Sequence, residues 1–336
     1  MKNLLAALVF GLCSTTYAQT DYSVVYDGDA YLSEGIRLYD EEKYAEAIKQ
    51  FDKIVKTDPI FYTAQYEKAL ALAAGEDKEA AKAFYENALE KGYMQEAPDF
   101  YMSYGTFLSD RKEYDKSEKM FLEAQKLYPN SSVLLYNMAL LYVRKDERQK
   151  SVDLLEKAIT INPNHVGSHY LLGLIALEDG RAVEGTMALL AYLTLSPESS
   201  VSPEIIVKLN AKFADNYTEK SKLVFSKAGG DNFEDIDVIL RNSLPLRSAY
   251  KVNSEFDDII IRQMQAVVEY AAEHKVQNGF FETTYVPWLA DMAKKKQFEG
   301  FSYYMLSSMK EQLGKKLTAH NKKAQAFIDN YLSNDF

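Results

Sequence analysis

The chain has one cysteine, Cys13, in 336 residues. It lies in an N-terminal stretch built like an export signal: Met1-Lys2-Asn3 supplies a positive start, Leu4 to Leu12 a short apolar run, and Thr16-Tyr17-Ala18 a small-residue cleavage site before Gln19. Residues 1–18 therefore read as a signal peptide and 19–27 as a linker, and cleavage after Ala18 leaves a mature chain without cysteine. That excludes disulfides, thiolate metal sites and a cysteine nucleophile. Lipid attachment at Cys13 is disfavoured, because Phe10-Gly11-Leu12 places a large residue next to the cysteine where lipoprotein signals carry a small one. No later apolar run reaches the ~18 residues of a membrane-spanning helix. Positive charge is also scarce: the formal net charge is −10, which argues against nucleic acid as a partner. The exception is the C-terminal end, where Lys294, Lys295 and Lys296 stand together. This end reads as a solvated helix face, with peripheral contact to an anionic surface as the alternative.

Motifs of catalysis are missing too. There is no GxSxG nucleophile turn, and Gly229-Gly230 lacks the further glycines and the Lys-Ser/Thr of a phosphate loop. His165 and His169 have a helical i, i+4 spacing, but Val166 stands where a zinc protease carries its glutamate, and His165 falls at a turn after Pro163. The neighbours Glu41-Glu42 and Asp257-Asp258 point to different helix faces and make poor acid–base pairs. Asn130-Ser131-Ser132 and Asn216-Tyr217-Thr218 match a glycosylation sequon that is common by chance. No cofactor, metal or catalytic residue is expected, and the composition, 47% hydrophobic and 26% charged, is that of a folded protein.

What is present is repetition. Tyr44 to Pro59 reads YAEAIKQFDKIVKTDP and Tyr114 to Pro129 reads YDKSEKMFLEAQKLYP. A ruler of about 34 residues places Tyr31, Gly35, Leu38, Tyr44, Ala47, Phe51, Ile54 and Pro59 in a first unit, 28–61. The same offsets give Ala69, Leu72, Ala81, Tyr85 and Ala88 in 62–95, and Tyr101, Gly105, Leu108, Tyr114, Ser117, Phe121, Ala124 and Pro129 in 98–131. They continue with Leu135, Ala139, Tyr142, Ser151, Leu155, Ala158 and Pro163 in 132–165, and with Leu172, Gly173, Ala176, Gly185, Leu189, Tyr192 and Pro197 in 166–199.

This pattern resembles the tetratricopeptide repeat, over roughly residues 28–199. The resemblance implies an all-α, right-handed solenoid of about five helical hairpins, in which small residues allow close helix approach, aromatics fill the space between units, and prolines mark the turns. It implies a concave face lined by the first helix of each unit. The corresponding residues are Leu32, Ile36 and Tyr39; Tyr66 and Leu70; Met102, Thr106 and Ser109; Tyr136, Leu140 and Val143; and Tyr170, Leu174 and Leu177. The Lys, Arg and Asn that let a chaperone-binding subset of the family grip a terminal carboxylate are absent from these offsets. Tyr66, Leu70, Met102, Tyr136, Leu140, Tyr170 and Leu174 are the candidate partner contacts, unless the protein's own C-terminal helices cover them.

After Pro197 the register stops, and Ser196 to Glu204 (SPESSVSPE) reads as a boundary. Residues 200–336 continue as helix, either a separate domain or a cap on the array. Ser202-Pro203-Glu204 starts a helix with Ile205, Ile206, Leu209 and Phe213 on one face; Ser254 is positioned to cap a helix reaching His274; another holds Trp288, Leu289 and Met292; two more run over about 301–315 and 318–332. The expected function is non-catalytic: an exported adaptor or scaffold that binds another cell-envelope protein or a peptide segment, in the periplasm or as a secreted or outer-membrane-associated protein. The alternative is a docking arm joined to a C-terminal helical domain with its own enzymatic or surface-binding activity, which a cluster of polar side chains around Trp288, Asp291 and His274 would reveal.

Overall fold

The computed structural model describes residues 26–214, 230–241, 245, 247–256, 259–309 and 313–332. Residues 1–18 with Cys13, read above as a signal peptide, the sequon at Asn216, Gly229, the Asp257-Asp258 pair and the side chain of Phe213 lie outside the described residues. Among the described residues every regular element is helical and none is a strand, as the repeat pattern requires. The helices are α1 Gly28–Asp40, α2 Tyr44–Phe51, α3 Phe61–Ala74, α4 Lys78–Glu90, α5 Tyr93–Glu96, α6 Asp99–Asp110, α7 Tyr114–Leu127, α8 Ser132–Arg144, α9 Arg148–Ile161, α10 Val166–Glu178 and α11 Ala182–Leu195. They continue with α12 Ser202–Ala214, α13 Glu234–Arg241, α14 Ile259–Ala271, α15 Phe280–Thr284, α16 Val286–Lys294, α17 Phe298–Met305, α18 Lys315–Ala319 and α19 Asn321–Phe327, with a 3-10 turn at Leu306–Met309 and a π turn at Ile328–Leu332. The chain forms two compact units, 1–86 and 87–336, divided within α4.

The repeated words are packing contacts. In the first unit α1 lies on α2 because Gly35 has no side chain: a Cβ there would stand 2.3 Å from the ring of Phe51. In the second unit the same offsets recur at α6–α7, where a Cβ on Gly105 would be 2.7 Å from Phe121, and at α10–α11, where one on Gly173 would be 2.6 Å from Leu189. Ser117, facing Gly105, donates its hydroxyl to the Gly105 carbonyl at 2.6 Å, so a small polar residue here is satisfied inside the hairpin.

The turn within four of the five hairpins is also repeated, the exception being α3–α4. Glu42, Lys112, Asp146 and Gly180 occupy one offset and all adopt the left-handed conformation, at φ of 60°, 62°, 59° and 81°. The next amide then reaches back to the helix: Lys43 N to Leu38 O, Glu113 N to Leu108 O, Glu147 N to Tyr142 O and Arg181 N to Ala176 O, at 2.8–2.9 Å. This is the helix-ending motif that usually takes glycine, spelled here three times out of four with a charged residue. The same turn closes α16, with Lys296 at φ 55° and Gln297 N on Met292 O. Where one hairpin passes to the next, Ser131 caps α8 through Leu134 N and His165 caps α10 through Ser168 N.

The end of the repeat register is not the end of the core. Every residue of α11 from Ala182 to Thr194 is buried. α10 lies on one side of α11, and α12, α13, α14, α15 and α17 pack against it as well. One apolar cluster runs from Ala139 to Tyr331 and joins the last repeats to the C-terminal helices. A helix with apolar residues on every side must be covered, and these helices cover it.

Two boundaries differ from the sequence reading. The hydroxyl of Ser254 accepts from Phe256 N and pairs with Ser302, and the next described helix, α14, starts at Ile259. The expected helices over 301–315 and 318–332 are shorter pieces, broken at Leu306–Met309 and at His320, where tertiary contacts such as the stacking of His320 on Tyr303 at 4.5 Å override local propensity.

Candidate functional site

In the unit formed by residues 87–336, Met102, Tyr136, Leu140, Tyr170 and Leu174 stand on α6, α8 and α10, the first helices of three consecutive hairpins. All five are half-buried: each keeps part of its surface open, and Tyr136, Leu140, Tyr170 and Leu174 rest on the core with the rest. Val143 and Thr106 share this state, whereas Ser109 and Leu177 are buried and contribute no surface. Ser109 accepts a hydrogen bond from Arg144 Nη1 at 2.7 Å, and Leu177 fills the space beside Gly185, where a Cβ would meet it at 2.7 Å. Tyr66 and Leu70, on α3 of the other unit, are likewise half-buried.

The two central tyrosines are braced. The Tyr136 ring lies 5.2 Å from the His165 ring and covers the start of α10, where Gly167 admits it; a Cβ there would be 2.9 Å away. Tyr170 packs on Tyr192 at 5.2 Å. Burial pushes both phenols above their ordinary pKa, aided at Tyr170 by the nearby charge of Glu204 on α12. Rings held in this way lose little freedom on contact with a partner. Sequence reasoning found Tyr136 and Tyr170 from their offsets, but not their supports, which come from other helices.

The two histidines do not form a metal pair. His165 Nδ1 accepts from the Ser168 amide, while His169 Nε2 donates to the Pro163 carbonyl at 2.7 Å and its Nδ1 takes the hydroxyl of Tyr285, between α15 and α16, at 2.8 Å. Because a carbonyl can only accept, Nε2 carries the proton, Nδ1 is the acceptor and Tyr285 donates. Burial drives the His169 pKa down to about 4, against the opposing bond to Pro163. His169 and Tyr285 thus pin the last repeat to the C-terminal helices through a neutral pair.

The polar residues of the C-terminal helices fall into two places. Trp288 and Asp291 line one cavity. His274 lies elsewhere, between Asp235 and Glu282, at 3.2 Å from each. Glu282 is buried, and its carboxylate also accepts the amides of Asn232, Gln277 and Gly279. Burial would raise its pKa, but these amides and His274 hold it below the ordinary carboxylate value. The cluster staples the 231–235 segment to α15. Among the described residues no group of three or more His, Cys, Asp or Glu is arranged to hold a metal ion. Of the lysines of this end, Lys295 pairs with Asp291 and Lys323 with Glu255 and Glu299. Among the described residues no helix is long and apolar enough to cross a membrane.

Residues 32–92 and 133–165 match family profiles described as tetratricopeptide repeat, so the chain carries tetratricopeptide repeats over these residues. Among solved structures it is similar to that of PilF from Pseudomonas aeruginosa, at 17% identity over 65% of this chain and 89% of the other, with a TM-score of 0.48. It is also similar to MamA, residues 41 to the end, from Desulfovibrio magneticus, at 17% identity over 52% and 97% of the two chains, with a TM-score of 0.41. YrrB, described as a tetratricopeptide-repeat protein with an unusual peptide-binding site, matches at 21% identity over 42% and 90%, with a TM-score of 0.22. No curated protein matches the sequence.

Proposed function

We propose that the protein is a non-catalytic interaction scaffold that binds an extended or helical segment of another protein along Met102, Tyr136, Leu140, Tyr170 and Leu174. The observation that carries this reading is that Tyr and Leu recur at equivalent offsets of consecutive hairpins and stay partly open, although the C-terminal helices bury α11 completely. Rigid aromatics with a polar tip on a fixed helical frame are suited to peptide recognition. Tyr66 and Leu70 offer the same chemistry in the first unit. Replacement of both Tyr136 and Tyr170 by Ala is expected to abolish capture of the partner that the wild-type chain retains, with the circular-dichroism helix signal unchanged; equal capture by the variant would refute the reading.

The proposed place of action is the cell envelope after export, with the partner an envelope protein. Support comes from the charge, apolar run and cleavage pattern of residues 1–18. The mature protein is then expected to start at Gln19, which N-terminal sequencing of protein from a cell fraction would check; an intact Met1 would refute export by this signal.

A further inference from the structure

Between the last repeat and the C-terminal helices lies a cavity of about 460 Å³. His169, Leu195, Tyr285, Trp288, Asp291 and Tyr331 are among its lining residues. None of the groove residues lines it, so it is a separate site. Two of its polar side chains are engaged within the protein: His169 by Pro163 and Tyr285, and the Tyr331 hydroxyl by the Trp288 carbonyl at 3.3 Å. What these walls offer a guest is aromatic and aliphatic surface.

The mouth differs. Asp291 carries a carboxylate there, and Lys295, one turn further on, places its ammonium 3.0 Å from that carboxylate and 5.3 Å from the centre of the Tyr331 ring. The cavity therefore already holds a cation between a negative charge and a π face, in the arrangement that binds ammonium groups. The occupant is the protein's own flexible side chain. Lys295 and Asp291 are 41% and 38% exposed, and an i, i+4 ion pair this open is weak and readily exchanged.

We propose that this cavity binds an organic ammonium ion with an aromatic or alkyl body, its charge displacing Lys295 from Asp291 and its body resting on His169, Tyr285, Trp288 and Leu195. Lys295 swings into solvent at little cost. The formal net charge of −10 favours the approach of such a ligand, while Asp291 opposes a carboxylate or phosphate in the same place.

Trp288 is the only tryptophan, so its fluorescence reports on this cavity alone. The full chain would be titrated with benzyltrimethylammonium, with neutral benzyl alcohol and with anionic phenylacetate. A saturable change with the cation and none with the other two over the same range is expected. Asp291→Asn should weaken cation binding about tenfold. Lys295→Met, which removes the internal competitor, should strengthen it roughly fivefold. Both substitutions are at partly exposed positions and leave the aromatic walls intact. No response to any probe, an equal response to benzyl alcohol, preference for phenylacetate, or weaker cation binding in Lys295→Met would each overturn the assignment.

Discussion

The His169–Tyr285 pin makes the stability of the larger unit depend on pH. In the folded protein His169 is neutral, with a pKa lowered to about 4 by burial, whereas the exposed imidazole of the unfolded chain titrates near its ordinary value of 6.5. The depressed value means that the unfolded state takes up a proton first on acidification. The contribution is therefore fully present above pH 6.5 and is lost progressively as pH falls towards 4. Between pH 7.5 and 4.5 the loss from this one group is about 2–3 kcal/mol. His169→Gln keeps one amide donor for Pro163 and one oxygen for Tyr285 but cannot titrate. Urea unfolding followed by Trp288, which lines the same cavity as His169 and Tyr285, would be measured for both proteins at the two pH values. The wild type should lose about 2–3 kcal/mol more than the variant across this interval. Parallel losses would show that the buried neutral histidine is not coupled to the cooperative unfolding of this unit.

Lys112→Gly should raise stability by about 0.5–1 kcal/mol, because Lys112 holds φ 62° in an exposed turn where glycine is unstrained; a lower urea midpoint would contradict the strain argument. Arg181→Ala should cost about 3–5 kcal/mol at neutral pH, since it leaves the fully buried Glu184 without the guanidinium 2.7 Å away. The Glu184 pKa is already raised by burial, so this penalty should shrink on acidification as the carboxyl becomes neutral; a pH-independent loss would point instead to lost packing. A chain ending at Ser199 should show increased binding of an apolar dye and a broad thermal transition, because it strips α12–α17 from the largely apolar, buried α11; a sharp transition would mean that the array folds without its cap.

The sequence alone determined the hairpins. Gly35, Gly105 and Gly173 stand one hairpin width from Phe51, Phe121 and Leu189, and this small-to-large matching is local, so the offsets reveal it before any fold is known. It also placed Tyr136 and Tyr170 on the partly open stripe, since helix period and repeat period together fix which side of a hairpin a residue occupies. The left-handed turns were hidden because Glu42, Lys112 and Asp146 carry no glycine to announce them, although the backbone needs the same conformation as at Gly180. Only the tertiary structure decided that Ser109 and Leu177 are buried, that His169 meets Tyr285 across 116 positions of chain, and that the loss of register at Pro197 is not a boundary of the core. Those outcomes depend on which distant helix covers α11. A helix that is apolar on every side states that it must be covered, but gives no local signal of what will cover it.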